Sequence, residues 1–216
     1  MVAEGVIQFQ PVHTTAPLPS SVDDEVRDVL AWRQLLFQLG GIGQDDARYD
    51  AAGFGNVSVR TRPFGRPRGQ RAFVVTGTQT GAMPSLSSSD LCWVRRSEPE
   101  ANRVHSIGET LPSSESMTHA ALYDLGGHIR AVVHVHLPGV FSRRRELRLP
   151  CTAPSAGYGT VEMVRQVRRL MAHVDVDDAL AFAMEGHEDG IVVFGRSLEA
   201  CGGRLLALMA RAERVR

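Results

Sequence analysis

The chain contains no lysine: all 24 of its basic side chains are arginines. Chemistry that needs a primary side-chain amine is therefore excluded, including a Schiff-base aldolase, a lysine-bound pyridoxal enzyme, a phosphate loop with its lysine and a lysine general base. Arginine can still bind phosphate or carboxylate, as a planar fork that stays charged. Neither sign of charge is in excess. The 24 basic residues are matched by 24 acidic ones among 216, which argues against an electrostatically steered nucleic-acid binder. The three cysteines, Cys92, Cys151 and Cys201, are far apart and make no CxxC pair, so they read as small buried hydrophobes in a reducing compartment. No stretch approaches the roughly 20 apolar residues of a membrane span, and no basic segment followed by an apolar run opens the sequence. These absences lead us to expect a cytoplasmic protein with neither membrane nor nucleic acid as a partner.

What remains is ordinary globular material, 43% hydrophobic. Such a chain should fold to about 9,800 Å² of accessible surface, enough core for one domain without disulfides. Residues 1–21 carry Pro11, Pro17 and Pro19 and read as a flexible lead-in to a domain spanning 22–216. Val26, Val29, Leu30, Leu36, Phe37 and Leu39 recur at helical spacing; Ser20 or Ser21 would start that helix and Gly40-Gly41 stop it. Residues 56–60 and 71–75 read as strands joined by a solvated, arginine-rich loop. Ser114 would cap a helix running through Glu115, His119, Leu122 and Leu125 to Gly126-Gly127. Residues 131–137 and 191–194 read as further strands. Thr160 and Ser197 would each open a helix. Strands interspersed with helices, without internal repeats, indicate a layered α/β domain.

The strongest chemical signal is His134-Val-His136. Residues i and i+2 of a strand share a face, so both imidazoles project together, as two ligands of one metal ion would. The alternative is an edge pair hydrogen-bonded to neighbouring backbone. His187, in Glu185-Gly-His-Glu-Asp-Gly190, offers a third ligand with carboxylates nearby to orient it, or is a surface histidine in an acidic turn. Ser113-Ser114-Glu115 places a carboxylate beside unpaired helix amides that can receive an anion. A carboxylate next to a metal-bound carbonyl is what enolate chemistry requires; a plain helix cap explains the same residues without chemistry. Gly53-Phe-Gly-Asn56-Val-Ser58 and Val75-Thr-Gly-Thr-Gln-Thr80-Gly81 are further turns able to present amides and hydroxyls to an oxyanion. Neither has the spacing of a dinucleotide fingerprint.

Taken in order, Gly55-Asn-Val-Ser58, the turn ending Thr80-Gly81, Pro112-Ser-Ser-Glu115 with His119, Ala131-Val-Val-His-Val-His136, Leu149-Pro-Cys151 with Gly159-Thr160, and Gly186-His187 before Ile191-Val-Val-Phe-Gly195 resemble the class II aldolase/adducin family from roughly Val26 to Ala210. The resemblance implies a three-layer α/β/α domain around a predominantly antiparallel sheet, assembled as a homotetramer with active sites between subunits. It implies that His134, His136 and His187 bind zinc or another divalent ion such as manganese or cobalt, and that Glu115 serves as a further ligand and as the acid/base. It matches Asn56, Thr80, Gly81, Ser113 and Ser114 to positions that hold a substrate phosphate. The activity implied is an aldolase-like lyase acting through a metal-stabilised enediolate on a small, phosphorylated hydroxy-ketone or sugar derivative. An epimerase or dehydratase would share the site; a metal-dependent hydrolase and a non-catalytic adducin-like assembly module are the other readings. Two departures stand out. Pro150-Cys-Thr-Ala-Pro154 lacks the tyrosine of the sugar-phosphate aldolase pattern, with Tyr158 close in sequence, and His187 is followed by Glu188-Asp189 where the family has glycine.

Overall fold

The computed structural model describes residues 6–172 and 178–215. Its strands are β1 (Gln10–Thr15), β2 (Gly43–Gln44), β3 (Gly53–Phe54), β4 (Asn56–Arg60), β5 (Phe73–Thr76), β6 (Leu91–Glu98), β7 (Arg103–Gly108), β8 (Ala131–His136), β9 (Ala179–Ala183) and β10 (Gly190–Gly195). The α-helices are α1 (Asp23–Gln38), α2 (Ser116–Tyr123), α3 (Pro138–Phe141), α4 (Val161–Leu170) and α5 (Leu198–Arg214). Eight strands form one sheet in the order β1-β7-β6-β5-β4-β8-β10-β9, and β2 pairs with β3 in a small ribbon. Among the described residues, neighbouring strands of the large sheet run antiparallel except β1 and β7, which are parallel.

Strand alternation builds a core on each face of this sheet. Val57, Val74, Val133, Val135 and Val193 face one way and pack with Val29 and Leu36 of α1 and Leu205 and Leu208 of α5. Phe73, Val75, Val132, Val192 and Phe194 face the other way, against Met117 and Ala121 of α2 and Val164 and Val167 of α4. The result is the expected α/β/α sandwich with a largely antiparallel sheet. Its accessible surface is 9821 Å².

Several local expectations are corrected. Residues 10–15 lie in the span read as a lead-in, yet they pair with β7 from Gln10–Arg103 to Thr15–Gly108, because Phe9 is drawn into the core at 4% exposure. Ser20 and Ser21 do not cap α1; they form a short 3₁₀ turn, Ser20–Val22, ahead of it. Ser114 does not cap α2, whose N-cap position is Glu115. The expected caps at Thr160 and Ser197 are present, accepting from Met163 N at 3.2 Å and Ala200 N at 3.2 Å. The arginine-rich loop is not wholly solvated: Arg60 is buried and donates to Phe64 O at 2.9 Å, while Arg71 donates to Tyr123 O. Cys92 and Cys201 are buried as free thiols, and Cys151 is half-buried.

Candidate metal centre

β8 lies inside the sheet between β4 and β10, so the reading of His134 and His136 as an edge pair fails: their strand's backbone is committed on both sides. Val133 and Val135 fill the core on one face, and the register that puts them there turns both imidazoles to the other. His134 pairs with Asn56 of β4 and Val192 of β10, and His136 with Gly190. His187 enters from the turn joining β9 to β10, held by a hydrogen bond from its backbone N–H to Met184 O at 2.9 Å. It is 5% exposed, so it is not a surface histidine.

The three rings converge. Their centroids lie 5.0, 4.9 and 4.7 Å apart, and one ligand nitrogen from each lies within 4.8 Å of the others. His134 Nε2 and both nitrogens of His136 are buried without a hydrogen-bond partner among the described residues, a costly condition for polar atoms. Gly190 keeps the space beside them clear: a Cβ there would lie 3.3 Å from His134 Nε2. Buried imidazoles with unused lone pairs around a space kept open fit a divalent cation, and the three histidines form a divalent-metal site.

Glu115 reaches this cluster from the start of α2. Its Oε1 lies 3.1 Å from His187 Nδ1, its Oε2 contacts His134 Nδ1, and Asn56 Nδ2 donates to Oε2 at 3.0 Å. Burial alone would raise this carboxyl, but His134 and His187 outweigh it and hold it well below the usual carboxylate range. One carboxylate thereby orients two imidazoles, the usual office of an outer partner at a metal site. His119, on the next turn of α2, is not in the cluster. Its Nδ1 lies 2.7 Å from the Ser58 hydroxyl, which is also 2.7 Å from the Tyr123 hydroxyl.

The other expected residues lie on the turns beside Glu115. Ser113 N donates to Thr76 O at 3.1 Å, Glu115 N donates to Ser113 Oγ at 3.3 Å, and Thr78 N donates to Leu111 O at 3.0 Å, so the 77–81 and 111–114 turns are joined. Thr80, Ser113 and Ser114 are buried, as is Asn56. A residue that the sequence reading missed secures the first turn: Arg33 of α1, 1% exposed, donates to Thr80 O at 2.8 Å and Gly81 O at 3.0 Å. Three aromatic rings wall the cluster; Tyr49 and Phe54 were missed as site residues, while Tyr158 was noted in the sequence as the tyrosine near the Pro150-Cys-Thr-Ala-Pro154 departure. Phe54 stacks on His136 at 4.9 Å, Tyr49 meets its edge at 4.5 Å, and Tyr158 lies 4.9 Å from His187. The Tyr158 hydroxyl accepts from Val6 N at 3.1 Å. Only the glycines around Tyr49 and Phe54 hinted at an ordered turn here.

Residues 44–214 match the model of the class II aldolase and adducin N-terminal domain. The chain belongs to the class II aldolase and adducin family. Solved members and relatives show the same fold. A sugar-phosphate aldolase from Thermotoga maritima superposes with a TM-score of 0.65 at 17% identity, covering 89% of this chain and 93% of that one. An L-fuculose 1-phosphate aldolase gives 0.62 at 20% identity, over 92% and 86%, and the L-fuculose-1-phosphate aldolase of Thermus thermophilus gives 0.56 at 21%, over 88% and 93%. No curated protein matches the chain. Within this class II aldolase and adducin fold, the described helices include none long and apolar enough to cross a membrane.

Proposed function

We propose that the protein is a divalent-metal-dependent lyase of the aldolase type, acting on a small phosphorylated hydroxy-ketone or sugar derivative. The observation that carries this reading is the burial of His134, His136 and His187 around one space, with the Glu115 carboxylate against two of them. A non-catalytic assembly module has no need for unsatisfied imidazoles in its core. His134, His136 and His187 would hold the cation, zinc in our reading, and the bound cation would supply Lewis-acid polarisation of a substrate carbonyl. Glu115, ionised and fixed by Asn56, takes and returns the proton at the carbon beside that carbonyl. Asn56, Thr80, Gly81, Ser113 and Ser114 hold the phosphate by hydroxyl, amide and backbone donors, an arrangement that needs no lysine. We assign it, as the family resemblance implies, to a homotetramer with active sites at subunit boundaries, and to the cytoplasm, where free thiols persist.

The test is solvent deuterium incorporation into phosphorylated ketoses by wild type and Glu115→Gln, with metal content measured on the same samples. Wild type should exchange and carry stoichiometric metal. The variant should keep its metal and lose roughly 10²- to 10⁴-fold in exchange. Equal exchange at equal occupancy removes Glu115 from the chemistry. Hydrolysis without deuterium in carbon would instead make the protein a hydrolase.

A further inference from the structure

His134 and His187 are each oriented by the Glu115 carboxylate through Nδ1, whereas both ring nitrogens of His136 lack a hydrogen-bond partner among the described residues. A ligand imidazole that can spin about its χ2 bond presents its lone pair poorly, so something else must set this ring. Packing does it. Phe54 lies nearly parallel to the ring, at 21° and 4.9 Å, and Tyr49 stands against it edge-on, at 88° and 4.5 Å. Tyr49 also stacks edge-to-face on Phe54 at 5.1 Å, closing an aromatic corner around His136.

Tyr49 is itself held in an uncommon backbone. Tyr49, Asp50 and Ala51 have φ of 55°, 55° and 57°, the left-handed region that non-glycine residues avoid and that persists only when surroundings over-determine it. The determinants are visible. The Tyr49 hydroxyl donates to Asp189 Oδ2 at 2.5 Å, Arg48 pairs with Asp189 at 2.5 Å and with Glu188 at 2.7 Å, and Gln44 Nε2 donates to Ala51 O at 2.6 Å. Asp189 is 4% exposed, and its carbonyl accepts from Leu137 N at 3.0 Å, pinning the residue after His136. The 45–52 loop and the Glu188-Asp189 pair are thus joined, through Arg48 and Tyr49, into one device.

We propose that Tyr49, tethered by Asp189, is a positioning residue that fixes the ring of His136 by aromatic packing in place of the missing hydrogen bond. The inference rests on the reading of the three histidines as a metal site. It assigns Tyr49 no role in proton transfer.

The test is titration of the chelator-treated full chain with Co²⁺, read by its visible ligand-field bands, and Zn²⁺ competition against a chromophoric chelator, for wild type, Tyr49→Leu and Tyr49→Phe. Failure of wild type to bind either ion would overturn the metal site itself. Given wild-type binding, Y49L should weaken both ions by roughly 10- to 100-fold, the range for loss of an outer partner, and should shift the cobalt bands, which a purely structural role would leave in place. Y49F keeps the ring and loses the tether; it should recover the band positions and most of the affinity, with a smaller loss in the same direction. Wild-type affinity and bands in both variants would overturn the proposal. Should Y49L fail to fold, Y49F decides: no change in its affinity overturns the tether, and a loss supports it.

Discussion

His119 shows how far burial alone can take an ionisable side chain. It is 1% exposed, and burial, with His134 acting in the same direction and Glu115 opposing, pushes its pKa from 6.5 to about 3. The unfolded chain therefore takes up a proton near pH 6.5 that the folded chain refuses until far lower. Stability conferred by the neutral imidazole is fully present above pH 6.5 and is lost as the pH falls toward 3. Burial lowers His136 as well, and so acts in the same sense. Glu115, held below the usual carboxylate range, loses its contribution only at lower pH. Urea unfolding between pH 6.5 and 5 consequently isolates the histidines. His119→Gln should flatten the slope by up to about 1.4 kcal/mol per pH unit, one proton's worth, while keeping stoichiometric metal. An unchanged slope would mean that His119 is protonated in the fold. The chemical residues were legible because imidazole and carboxylate have few uses in a core: strand alternation put His134 and His136 on one face, and the fold brings His187 and Glu115, which the spacing alone left open, up to them. Tyr49, Asp189 and Arg33 were not, since an aromatic in a loop and an arginine on a helix have many uses, and only three-dimensional contact selects one.

At the scale of elements, strands were legible where burial is one-sided or complete and the residues are β-branched, as in Asn56–Arg60 and Ala131–His136. β6 was missed because a register shift between Val94 and Arg96 breaks its alternation, and β9, Ala-Leu-Ala-Phe-Ala, because alanine carries little strand signal. The start of α2 was placed one residue early: its N-cap position is Glu115, and it is Ser113 Oγ, not Ser114, that accepts the Glu115 N–H, a distinction two adjacent serines do not show in sequence. The junction between the small β2-β3 ribbon and the 77–81 turn depends on glycine for a different reason, close approach. A Cβ at Gly81 would sit 2.5 Å from Phe54 N and 2.7 Å from Gly43 O, and backbone cannot yield to it as a side-chain tip can. Gly81→Ala should destabilise by about 1–3 kcal/mol and displace Phe54 from His136. Gly203 is exposed within α5, and a Cβ added there would meet nothing within 4 Å; Gly203→Ala should stabilise by about 1 kcal/mol, the helix-propensity difference. Thermal unfolding of the two single variants checks both signs, and a neutral G81A would show that the ribbon and turn separate freely.

For the whole molecule, the open question in the sequence was where folding begins to include the chain's first residues. Three prolines among residues 1–21 suggested a segment outside the domain, yet β1 pairs in parallel with β7 and covers its edge. An uncovered β7 would present a free row of backbone donors and acceptors, which invites association with other chains. Phe9, in the same core as Met117 and Val164, adds an apolar anchor beside that edge, and Val6 N reaches the Tyr158 hydroxyl, whose ring lies against His187. The segment thus links the sheet's far edge to the wall of the metal centre. Phe9→Ala should cost about 3–5 kcal/mol, the usual penalty for emptying a buried aromatic position, seen as a lower denaturation midpoint at unchanged denaturant dependence. Deleting residues 1–16 should go further, lowering the thermal midpoint and producing concentration-dependent association through β7. A shortened chain that melts with the full-length protein and stays dispersed would return residues 1–21 to the role of a lead-in.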